Sequence, residues 1–232
     1  MAAVQERMAA AAARSHRRLA DIRLIAVTKV FPADAIRDGY ELGLRDFGEN
    51  YVQEFEGKSP LIVDLTEARV HLIGHLQSNK ALRAADLFDG VDSVDSLRLA
   101  ERLNDAIGKR TNRLPILLEV KLSPEETKSG LDPESAEAAQ LLEALPDLAH
   151  LETRGLMTIA PWGVAEDVTR ACFRSLRQWR DRWAPAYPRL NLSALSMGMS
   201  GDFPIAIEEG ATRIRIGTAL FGKRAPYTGP AE

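Results

Sequence analysis

The chain has 232 residues, of which 45% are hydrophobic, 27% charged and 6% aromatic, the profile of a folded globular protein and not of a fibrous or disordered one. Its 30 basic and 33 acidic residues leave a net charge of −3, which argues against a broad electrostatic grip on nucleic acid. One cysteine, Cys172, excludes an internal disulfide and a cysteine-based metal cluster, and no apolar run reaches the roughly 20 residues a membrane span needs.

Residues 1–21 read as an Ala-rich helix interrupted by Glu6, Arg7 and Arg14. They lack the apolar core of a secretory signal, so a cytoplasmic protein is expected. Residues 22–29 are a near-continuous run of branched apolar side chains, the pattern of a strand buried on both faces. Pro32 then suits the first turn of a helix, with Ala35, Ile36, Tyr40 and Leu44 at helical spacing and Gly43 placed to stop it. Further strand-like runs lie at 45–48, 70–74, 87–94, 114–121, 152–159, 190–195 and 211–217. Helix-like stretches lie at 52–56, 79–85, 96–107, 133–145, 165–183 and 203–209. This alternation predicts an α/β fold, a single (β/α)8 TIM barrel with an extra N-terminal helix, in preference to an open doubly wound sheet. With no Gly/Ser-rich linker, residues 1–232 read as one domain, with 225–232 as a flexible tail.

A barrel of this kind works at the C-terminal ends of its strands. Lys29 closes the first apolar run, with Ile25, Val27 and Val30 as neighbours. A lysine so desolvated sheds its proton more readily and condenses with an aldehyde, although the position also suits an ordinary surface lysine. Ser196, Gly198, Ser200 and Gly201 follow the seventh run, and Gly217 and Thr218 end the eighth. Loops there often hold a phosphate through backbone N–H groups and hydroxyls, and glycine and serine also serve plain turns. Alternation puts Arg213 and Arg215 on one side of the last strand, with Glu49 as a possible internal partner for Arg215. Amides cluster at Asn50, Gln53, Gln77 and Asn79, where they would orient a ligand or cap a helix. His71 and His75 are separated by a turn at Gly74, which argues against a helical zinc pair. The nucleotide signatures GxxxxGK[ST] and GxGxxG do not occur, and Asp202 breaks the GxSxG pattern of a nucleophile elbow. Trp162, Trp179 and Trp183 are expected to pack helices, and the arginine-rich stretch 170–182 to form a solvated face.

Several blocks then resemble one family: VTK ending at Lys29, FGENYVQE (47–54), HLIGHLQSNK (71–80), KSG (128–130), RGLM (154–157), LSMGMS (195–200) and RIRIGTALFG (213–222). Together they are similar to the pyridoxal phosphate homeostasis protein family, in order and over most of the chain. The resemblance implies a barrel like the N-terminal domain of alanine racemase and of ornithine decarboxylase. It implies pyridoxal 5′-phosphate (PLP) held as a Schiff base on Lys29, with the phosphate at Ser196, Gly217 and Thr218. It further implies Arg215 at the pyridine nitrogen and Asn50 near the ring, with Met199, Ser200 and Tyr51 as secondary contacts and Lys128 in an open role. Phe31 stands where many relatives carry a second lysine, so a transfer role for that lysine does not carry over.

The implied function is storage or delivery of PLP without robust catalysis. The expected partners are PLP and PLP-dependent apoenzymes, with no nucleic acid and no membrane, and the expected state is a monomer. An amino-acid racemase is the alternative. It would need a second base opposite the cofactor, which in alanine racemase comes from a C-terminal domain that is not expected beyond Glu232. A cofactor-free aldolase using Lys29 is a third reading, disfavoured by the ordered motif matches.

Overall fold

The computed structural model describes residues 1–108, 112–122 and 129–222. Lys128 and the 225–232 tail lie outside the described residues. Eight parallel strands close into a barrel in sequence order: β1 (Arg23–Val27), β2 (Asp46–Glu49), β3 (Arg69–Leu72), β4 (Gly90–Val94), β5 (Leu114–Glu119), β6 (Leu151–Met157), β7 (Ala194–Ser196) and β8 (Arg213–Ile216). The helices are α1 (Ala2–Arg14), α2 (Asp34–Glu41), α3 (Val52–Lys58), α4 (Ala81–Leu87), α5 (Leu97–Ile107), α6 (Ala136–Ala144), α7 (Glu166–Ala186), α8 (Phe203–Glu208) and α9 (Thr218–Phe221). Every expected strand is present, so the expected barrel and its extra N-terminal helix are the observed architecture.

The boundaries shift where a local signal ran past its element. The expected strand 190–195 shrinks to Ala194–Ser196, and 87–94 begins only at Gly90, because Phe88 belongs to the end of α4. Ser96 and Ser135 start their helices by side-chain caps, Ser96 Oγ accepting from the Leu99 N–H at 3.3 Å and Ser135 Oγ from the Ala138 N–H at 3.1 Å. Gly43, at φ +87°, follows α2 in the left-handed conformation expected of a helix stop.

Closure pairs β1 with β8, Ile25 opposite Arg215, and β1 with β2, Val27 opposite Gly48. Strand alternation then sets two layers. Arg213, Arg215, Gly48 and Lys29 share the inward side, while Thr28, Phe47 and Glu49 share the outward side, toward the helices. The main core fills that outer layer, with Phe47, Leu103, Phe173 and Phe203 fully buried.

Helix α1 buries Val4, Met8, Ala11 and Ala12 against α8. Arg17 beyond it donates to the Ile207 carbonyl at 2.9 Å and the Ala211 carbonyl at 2.7 Å, closing the C-terminal end of α8. The arginines of α7 form the expected solvated face, Arg174 being 51% exposed, and Arg170, Arg174 and Arg177 pair there with Glu209, which is 5% exposed. Trp179 and Trp183 pack with their ring centroids 5.3 Å apart in a tilted arrangement, as expected of packing tryptophans.

Candidate functional site

The C-terminal strand ends enclose a cavity of about 610 Å³, within the size range of small-molecule sites. Lys29 enters it two residues past β1, and Asn50 enters from the turn after β2. Met199 and Ser200 come from the loop after β7, Arg215 from β8, and Gly217 and Thr218 from the β8–α9 turn. The fold thus gathers Lys29, Asn50, Met199, Ser200, Arg215, Gly217 and Thr218 around one space.

Two expected residues do not line it. Ser196 is fully buried, and its hydroxyl accepts a hydrogen bond from Arg215 Nη1 at 2.8 Å. Tyr51 is the half-buried residue from which α3 starts.

Local packing explains why these loops hold their shape. A Cβ on Gly74 would stand 2.4 Å from the Asn50 carbonyl oxygen, so only glycine lets the β2 turn lie against the end of β3. Gly198 sits at φ +94°, where a Cβ would meet that of Ala206 at 2.5 Å. Asp202 Oδ1 accepts the Met199 N–H at 2.6 Å, and Ser200 Oγ accepts the Ala219 N–H at 3.2 Å. The second of these bonds ties the β7 loop to the start of α9.

Arg215 is 4% exposed and donates to the Ser196 carbonyl, the Ser196 hydroxyl and the Thr158 carbonyl, each at 2.8 Å. Burial pulls its pKa down, opposed by Asp92, Glu119 and Asp202. The suggested partner Glu49 is a correction: it faces out of the barrel and takes bonds from Thr28 Oγ1 at 2.7 Å and Lys58 Nζ at 2.8 Å. Register decides this, because Glu49 and Arg215 lie on opposite sides of the barrel wall.

The opposite part of the cavity carries a carboxylate the sequence reading did not single out. Glu119, the last residue of β5, lines it with Ser129 and His75. Burial, reinforced by Asp95, pushes the Glu119 carboxyl up to about 7. His75 Nδ1 lies 3.4 Å from Asp95. A signal existed, since Glu119 closes an apolar run just as Lys29 does. Trp162 corrects its expected packing role: it is 84% exposed at the rim of the cavity.

Behind Lys29, on the outer side of the wall, lies a buried ion cluster. Lys58 Nζ donates to Glu49 Oε1 at 2.8 Å, to Glu54 Oε1 at 2.5 Å and to the Thr28 carbonyl at 3.0 Å. Glu54 Oε1 also accepts the Val30 N–H at 2.5 Å. Val30 has φ +66°, a left-handed backbone that costs a β-branched residue on the order of 1–3 kcal/mol.

A parallel barrel with a lysine at the end of its first strand and a buried arginine in its last defines a class, and the family model for the alanine racemase N-terminal domain matches residues 1–225. The pyridoxal phosphate homeostasis protein of Pseudomonas aeruginosa is 43% identical over 232 residues, covering 100% of this chain and 97% of that one. PipY of Synechococcus elongatus PCC7942, solved with PLP bound, is 44% identical with a TM-score of 0.84, covering 94% of this chain and 100% of that one. Alanine racemase from Clostridium difficile 630 shares the fold alone, at 13% identity and a TM-score of 0.70 over 97% of this chain and 57% of that one. The chain belongs to the pyridoxal phosphate homeostasis protein family.

Proposed function

We propose that this protein binds pyridoxal 5′-phosphate and serves its homeostasis, storing or delivering the cofactor without turnover of its own. One observation carries the reading: Lys29, the Gly217–Thr218 turn and the buried Arg215 line the same cavity. In this reading Lys29 holds the cofactor covalently as a Schiff base. Gly217, Thr218 and Ser200 receive the phosphate, and Asn50 and Met199 flank the ring. Ser196 acts one step removed, by orienting Arg215.

When bound, the cofactor supplies an aldehyde and an electron-accepting ring. Arg215 limits the second of these. A guanidinium donates hydrogen bonds but does not give up its proton, so a ring nitrogen facing it stays unprotonated and draws electrons weakly. The protein is expected to act in the cytoplasm as a monomer, with PLP-dependent apoenzymes as recipients.

The test is borohydride reduction of the PLP-loaded protein, with peptide mapping. Stoichiometric label on Lys29, lost in Lys29→Ala, is expected. The same stoichiometry on another lysine in that variant overturns the assignment.

One observation favours the racemase alternative: Glu119 brings a carboxyl titrating near neutrality into the cavity, as a proton-transfer group requires. A panel of amino acids assayed for racemisation decides it, and rates of roughly 1–1000 per second would replace the carrier reading.

A further inference from the structure

We infer that Glu54 and Lys58 are positioning residues for Lys29: from outside the barrel they grip the two peptide groups that flank its Cα and so aim its amine into the cavity. The inference rests on the reading of Lys29 as the condensing amine.

The peptide between Thr28 and Lys29 presents its carbonyl to Lys58 Nζ at 3.0 Å. The peptide between Lys29 and Val30 presents its N–H to Glu54 Oε1 at 2.5 Å. Lys58 joins the two grips, lying 2.5 Å from that same Glu54 oxygen, and Glu49 anchors Lys58 from the end of β2 at 2.8 Å. Thr28 is held a second time, its hydroxyl donating to Glu49 at 2.7 Å. Rotation about either backbone bond of Lys29 therefore breaks a charge-assisted hydrogen bond in a buried setting.

Three features separate this cluster from an incidental surface pair. Glu49 is fully buried and Lys58 is 7% exposed. Glu49 Oε2 and Glu54 Oε2 are buried with no hydrogen-bond partner among the described residues, a penalty that packing alone would not retain. Val30 holds a left-handed backbone while its N–H is bonded to Glu54, so the cluster meets the chain at a strained, β-branched position. The strain and the ion cluster thus converge on the two peptides beside the one lysine that lines the cavity among the described residues.

The experiment is competitive acetylation of the cofactor-free protein by acetic anhydride over a pH series, read at Lys29 by mass spectrometry. It is paired with the rate of PLP condensation at Lys29. Glu54→Ala and Lys58→Met are expected to change the Lys29 acetylation profile and to slow condensation roughly 10–100-fold. Glu54→Gln, whose amide oxygen still accepts the Val30 N–H, should stay close to wild type. Glu209→Gln breaks a half-exposed ion cluster between α7 and the end of α8 and should lower stability without moving the Lys29 profile. A wild-type profile and rate in a folded Glu54→Ala or Lys58→Met variant overturns the inference, as does a Glu54→Gln variant as impaired as Glu54→Ala. If neither of the first two folds, Glu54→Asp, which draws the carboxylate back from Val30, is judged by the same criterion. Acetylation does not use the cofactor, so it judges the clamp even where PLP is trapped on another lysine, a result that would overturn the proposed function alone.

Discussion

The two ends of the barrel interior both bury charge, and they use it differently. At the floor, Asp46, His71, Asp92 and Arg213 answer one another: His71 lies 3.4 Å from Asp92 and 3.6 Å from Asp46, and Arg213 lies 3.7 Å from Asp92. Burial disfavours the His71 imidazolium, yet Asp92 and Asp46 outweigh it and carry its pKa up to about 9. At the mouth, Arg215 gives its hydrogen bonds to two carbonyls and a hydroxyl. Neutral acceptors fix the guanidinium without cancelling its charge at contact distance. The same residue types therefore close a structural network at one end and leave a charge available to a ligand at the other.

The sharpest way to break this contrast is Arg215→Met. It takes the guanidinium donor from the Thr158 carbonyl and the Ser196 hydroxyl and unbalances Asp92 and Glu119, so we expect a loss of about 3–5 kcal/mol in urea unfolding together with loss of PLP binding. Asp92→Asn, on the floor, should cost about 2–4 kcal/mol while leaving the borohydride label on Lys29 in place. It also tests a pH effect. The folded pKa of His71, about 9, lies above its ordinary 6.5, so its stabilisation is complete below pH 6.5 and fades as pH rises through 9. In Asp92→Asn that alkaline loss should shrink, and the His71 ring resonances in NMR should titrate at lower pH.

Glu119 at the mouth gives the same sign for a different reason, burial disfavouring its charged form. A carboxyl raised to about 7 from 4.5 binds more protons folded than unfolded, so stability falls as pH climbs between those values. Glu119→Gln should remove this fall, stabilising the protein by about 1–3 kcal/mol above pH 7 and changing little at acid pH. The smallest effect is expected for Val30→Gly. Relief of the left-handed backbone opposes the added freedom of the unfolded chain, and thermal unfolding should register a net change below about 1 kcal/mol.

The sequence by itself determined the β/α alternation, the barrel and most of the residues at its mouth, because strand and helix periodicities are local and working residues collect at strand ends. Lys29, Arg215, Gly217 and Thr218 were candidates from their places at or near those ends, and the ordered motifs around them set them apart from ordinary strand-end residues. Only the tertiary structure decided which hydroxyl meets the cavity: Ser200 lines it, while Ser196 turns to Arg215. It likewise decided that Glu49 faces away from Arg215, since closure fixes register and a shift of one residue reverses the side. In sequence, Glu54 and Lys58 are an ordinary helical pair four residues apart, and Trp162 is one more tryptophan. Packing α3 behind β1 and β2 buries the pair against the peptides of Lys29, and the loop after β6 leaves the tryptophan at the rim. Those outcomes depend on contacts between segments that no local pattern encodes.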